Sequence, residues 1–125
     1  MMVGRVGPMP EVMMNRVEEL RQAALARVRS GEYEESLALY DEAISLASDE
    51  VVHELLTINK ADALIALETT GPEVQALPAI LMRRRNLHHV FLAAYALMYK
   101  HRIQSETKRA TFYGHVALDA ANDAD

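Results

Sequence analysis

The chain has 125 residues, half of them hydrophobic and a quarter charged, with a formal net charge of -5 and no cysteine. That length and balance predict one globular domain with room for a core. They exclude disulfide and thiol chemistry, and with no run of about 18 apolar residues a membrane-spanning helix is not expected. Trp is absent and only Tyr (5) and Phe (2) supply aromatic rings, while Ala and Leu are abundant, which favours helices over sheets.

Met1 to Pro10, with two glycines and two prolines, reads as a flexible arm without the apolar core of a secretory signal, so a cytoplasmic protein is expected. Pro10-Glu11 then opens a first helix, since proline presets φ and an acid suits the first turn. Val12, Met13, Val17, Leu20, Ala24 and Val28 recur at helical spacing to Arg29. Gly31 ends this helix, and a second runs from about Glu32 to Ala47 with Tyr33, Leu37, Tyr40 and Ile44 on its apolar side. Ser48-Asp49-Glu50 makes a break and the cap of a third helix, Glu50 to Leu67 or Glu68, whose apolar residues exceed one stripe and predict contact on two sides.

Thr69-Thr70-Gly71-Pro72 interrupts the pattern before a fourth helix that reaches Arg84 or Arg85, with Pro78 expected to kink or shorten it. Asn86 caps a fifth, Leu87 to Ile103. Ser105 to Lys108 opens a sixth, followed by a polar tail from Asn122 to Asp125, so the helical domain is read as residues 11–121.

Charge is unevenly spread. Met1 to Met82 carries six Lys and Arg against fourteen acids, whereas Arg83 to Arg109 carries seven cations and the single Glu106. Solvated faces of neighbouring helices account for this, and opposite charges at the two ends also admit self-association as a homodimer. An acidic chain without a recognition motif argues against nucleic acid as a partner.

Gly31-x-Tyr33, the small Ser36, the aromatic Tyr40 and the small Ala43 stand at the spacing of a tetratricopeptide repeat's second helix, and the stretch resembles that family. The family's first-helix pattern finds counterparts starting at Leu20, Thr57 and Ala94, each 37 residues after the last, without its tryptophan and glycine together. Second-helix counterparts are read as Ser36, Tyr40, Ala43, then Ala76, Ile80, Arg83, then Ala110, Gly114, Ala117.

The resemblance implies an all-α, right-handed stack of about three antiparallel hairpins, a non-catalytic module that binds a protein or peptide in a concave groove. By the same resemblance the groove positions are Glu18, Arg21, Leu25 and Arg29; Leu55, Ile58, Asp62 and Ile65; and Leu92, Tyr95, Tyr99 and Arg102. Tyr95 and Tyr99 would anchor the partner, with Arg102 or Lys100 meeting a carboxylate.

Enzymatic readings find little to build on. His53-Glu54 begins a zinc-protease pattern but Thr57 stands where the second histidine ligand is needed, so no metal site or cofactor is expected. No serine lies in a nucleophile elbow and no glycine-rich loop could cradle phosphate. The alternative is a compact bundle that senses a small ligand, or catalyses, through His88, His89 and His101; converging histidines in a closed pocket would mark it.

Overall fold

The computed structural model describes residues 10–124, so the expected arm at residues 1–9 and the terminal Asp125 lie outside the described residues. Six helices form the fold: α1 (Glu11–Arg29), α2 (Tyr33–Leu46), α3 (Glu50–Ala66), α4 (Pro72–Arg83), α5 (Leu87–Ile103) and α6 (Thr107–Ala124). There is no strand among the described residues, and none of these helices is long and apolar enough to cross a membrane.

The starts and stops follow from local chemistry. Asp49 accepts from the Val51 and Val52 amides at 2.8 and 3.2 Å, and Asn86 accepts from the His89 amide at 3.1 Å, so both expected caps satisfy otherwise unpaired donors. Helix α4 continues through the exposed Pro78 and is the shortest of the six at 12 residues, closing at Arg84 in the left-handed region (φ 48°). Helix α6 runs on to Ala124 through residues expected to form a tail; Ala120 and Ala121 favour the helix, and Asp123 meets Arg84, just past the end of α4, at 3.5 Å.

The ends of α1, α3 and α5 are built alike. Gly31, Glu68 and Ser105, with φ of 79°, 55° and 61°, sit 37 residues apart (68 - 31 and 105 - 68). Each amide bonds the carbonyl three residues back (2.9, 2.8 and 3.0 Å), and the next amide bonds the carbonyl five back (2.8, 3.0 and 2.8 Å). This is the left-handed helix-ending turn that glycine adopts without steric cost. Glu68 and Ser105 occupy it with side chains in solvent, so Glu68→Gly and Ser105→Gly are each expected to stabilise the fold by about 1 kcal/mol, read by urea unfolding.

Consecutive helices pair antiparallel: Arg16 of α1 reaches Glu42 late in α2, Glu54 of α3 pairs with Arg83 at the end of α4, and Met98 of α5 covers Gly114 of α6. Helix α3 is central. One of its faces joins Leu56 and Ala63 to Val17, Leu20 and Ala24 of α1 and to Tyr40 and Ala43 of α2. Another joins Ile58, Ala61, Leu64 and Ile65 to Val74, Leu77 and Ile80 of α4 and to Ala93, Ala96 and Leu97 of α5. Behind α3, Lys60 bridges Asp41 of α2 (2.5 Å) and Glu73 of α4 (3.2 Å). Desolvation works against the charged amine, but these two acids outweigh it and hold the Lys60 pKa above its usual range.

The 37-residue spacing extends to the second helix of each pair. Ser36, Tyr40 and Ala43 are buried in α2, and the same steps lead to Glu73, Leu77 and Ile80, then to Ala110, Gly114 and Ala117. The sequence alignment through Ala76, Ile80 and Arg83 is therefore three residues out of step: Leu77 and Ile80 are core, whereas Arg83 is exposed.

Candidate interaction surface

With α1 and α5 on its flanks and α2 and α4 behind, α3 leaves one narrow strip open. At about 100° per residue, Val51, Leu55, Asp62 and Ala66 share it, and none of the four is buried. Steps of 37 carry the strip to Met14, Glu18, Leu25 and Arg29 on α1 and to His88, Leu92, Tyr99 and Ile103 on α5, all likewise exposed or half-buried. Of the expected groove residues, Glu18, Leu25, Arg29, Leu55, Asp62, Leu92 and Tyr99 therefore fall at strip positions and are exposed or half-buried.

Arg21 flanks it. Its guanidinium clamps Glu18 through two bonds of 3.1 Å and donates to the Asn59 amide oxygen at 3.3 Å, tying α1 to α3. The Arg21 contact holds the Glu18 carboxyl below the usual range despite some desolvation, with Gln22 adding a further bond. Asp62 has no such partner among the described residues. Its carboxyl is open to water yet has enough protein around it that desolvation pushes its pKa up to about 7.

Beneath Asp62 lies Tyr40, only 1% exposed, whose phenol is pushed up to about 12 by burial and by the Asp62 charge, against Arg21 and Arg29. One aspartate and two arginines thus share the electrostatic field at the head of α2's buried aromatic.

Two expected positions need correction. Ile58 and Ile65 are 0% and 3% exposed, because they point toward α5 rather than along the open strip. Tyr95 and Arg102 stand 37 residues after them, where no further helix packs among the described residues. They are exposed, Tyr95 to 52%. Arg102 sits at the boundary, its guanidinium 6.0 Å from the centre of the Tyr99 ring.

The histidines do not converge. His89 is buried and its Nδ1 lies 2.7 Å from Glu54 Oε1, while Arg83 donates to Glu54 Oε2 at 2.9 Å. Desolvation opposes the Glu54 carboxylate, but His89 and Arg83 outweigh it and leave its pKa below the usual range. His101 is also buried, 2.6 Å from Glu106 and stacked on Tyr113 with ring centres 5.5 Å apart. Twelve residues of helix, about 18 Å, separate the two, and His88 faces solvent. Each buried histidine is joined to its own glutamate, and no group of three metal-ligating side chains occurs among the described residues.

Met14, Val51, Ala66, His88 and Ile103 belong to the open strip but are not among the groove positions expected from the sequence. The signal that finds them is the 37-residue spacing applied to helix ends rather than to apolar positions. No family model, curated protein or solved structure matches this chain, so the surface is read from its own geometry.

Proposed function

We propose that the chain is a non-catalytic protein-interaction module, a divergent tetratricopeptide-like, right-handed stack of three hairpins that holds a peptide on the shared open face of α1, α3 and α5. The observation that carries this reading is the strip repeated on three successive helices, accessible at the same positions each time and mixed in character. Leu25, Leu55, Leu92 and Tyr99 provide apolar contact, Arg29 offers a cation and Asp62 an unpaired carboxylate. A peptide with an apolar anchor flanked by a lysine or arginine meets those demands.

Peptides selected from a displayed library on the intact chain test it. Titration by fluorescence anisotropy is expected to show about tenfold weaker binding for Asp62→Lys and for Tyr99→Ala. Selected peptides that bind both variants as well as the parent chain would remove the groove from consideration.

The pH dependence has a definite sign. The Asp62 carboxyl gains its charge as pH rises through about 7, so a peptide cation held there binds more tightly from about pH 6 to 8. Asp62→Asn is expected to flatten that rise.

A further inference from the structure

The outward face of the α5–α6 pair carries an open cleft of about 450 Å³, lined by Met98, Arg102, Ala110, Gly114, His115 and Leu118 among others. Its counterparts in the other two pairs are covered. Ala61, Ile65, Leu77 and Leu81 occupy the places of Met98, Arg102, Gly114 and Leu118 in the second pair, and α5 packs over them. Ala24, Val28, Tyr40 and Ile44 occupy those places in the first pair, where α3 packs over them. The molecule itself therefore shows what this kind of surface receives, an α-helix: α3 lies mainly against α2 of the first pair, and α5 against both α3 and α4 of the second. On the third pair it is open, with Tyr95 52% and Leu118 58% exposed.

The opposite end of the molecule is finished differently. Asn15, Glu19, Gln22 and Ala26 of α1 are exposed at the positions where α3 places Val52, Leu56, Asn59 and Ala63 against its predecessor. Among the described residues the outward face of α1 is thus polar, while that of α5 and α6 is not.

The geometry points to the outward face of α5 and α6 as a docking site for an amphipathic helix of another protein, with small and medium apolar residues on the docking side and a carboxylate opposite Arg102. No acid lines the cleft, whereas Arg102 and His115 do, and Arg102 forms no ion pair among the described residues. A carboxylate on the incoming helix supplies that missing partner. A second copy fits poorly. Head-to-tail stacking would place Glu19 where Leu56 is wholly buried, and face-to-face pairing would set Arg102 and His115 of one copy against those of the other.

This inference is independent of the groove and is tested apart from it. The probe is a synthetic helix with the 17-residue sequence of α3, which covers the equivalent face of the first pair. It is stapled across positions 51 and 55, labelled with fluorescein, and made in two forms, Ala66→Glu and Ala66→Lys, to place either charge beside Arg102. On the intact chain the Ala66→Glu form is expected to bind at least about tenfold more tightly than the Ala66→Lys form. Arg102→Glu in the chain should reverse that preference, and Leu118→Glu should abolish both interactions. Both chain substitutions are at exposed positions, and unchanged circular dichroism melts will confirm folding.

Absence of saturable binding, or a preference that does not reverse with Arg102→Glu, overturns the proposal. So does loss of probe binding on Asp62→Lys with the end face intact, since the probe would then occupy the groove. A dimer in light scattering that Leu118→Glu dissociates would assign the face to a second copy instead.

Discussion

Replacing Glu54 by valine is expected to destabilise the fold by about 3–5 kcal/mol, and adding His89→Val to return most of that loss. Glu54 and His89 are both buried, bonded at 2.7 Å across α3 and α5, so removing the acid alone leaves an imidazole with no partner in a dry site. Removing both leaves little unsatisfied, because the third member, Arg83, has a side chain 42% exposed and can be hydrated. The first junction of the molecule already shows the apolar solution. Val17 and Val52 occupy the equivalent places 37 residues earlier and pack in one cluster.

Urea unfolding at neutral pH of the parent, both single variants and the double gives the coupling directly. If the double variant is no more stable than Glu54→Val, the two junctions are not equivalent. Acid adds a second readout. Because the folded state holds the Glu54 carboxyl below its ordinary pKa of 4.5, its contribution is present above that value and is lost as pH falls through the folded pKa. The parent chain should therefore lose stability on acidification more steeply than the double valine variant.

Helix ends were legible because they are encoded locally. Asp49, Asn86, Pro72 and Gly31 each act within a turn of their own position, and each acts where the sequence places it. The open strip was only partly legible. Helix α3 is apolar around most of its circumference, so periodicity identifies two buried sides but not the few residues left between them. Ile58 and Asp62 are both plausible groove residues from spacing alone; the arrival of α5 covers the first and leaves the second open.

Tyr95 and Arg102 show the complementary effect. They occupy the positions of Ile58 and Ile65 and are exposed, with no further helix against that side among the described residues. Nor could the sequence join Glu54 to His89, since partners 35 residues apart meet only once three helices have packed.

The repeat also predicts how the third pair tolerates its unusual interior. In the first pair a small residue on the first helix faces a large one on the second, Ala24 with Tyr40; in the second pair Ala61 faces Leu77. The third pair inverts the order. Met98 lies over Gly114, its sulfur 3.3 Å from where a Cβ would stand. Met98→Ala should then leave a space and cost about 2 kcal/mol, toward the low end for a large-to-small change because Met98 is only half-buried. Gly114→Leu alone sets a side chain against that sulfur and costs about 1–3 kcal/mol through overpacking, offset by roughly 1 kcal/mol of helix propensity. Together they recreate the Ala61 and Leu77 arrangement and retain the propensity gain, so the double variant should match or exceed the parent in stability. The four proteins form a thermodynamic cycle in urea, with a coupling of at least about 1 kcal/mol expected. Additive losses would mean that α5 and α6 do not repeat the packing of the two earlier pairs, and both the stacked reading and the helix-docking end face would lose their structural basis.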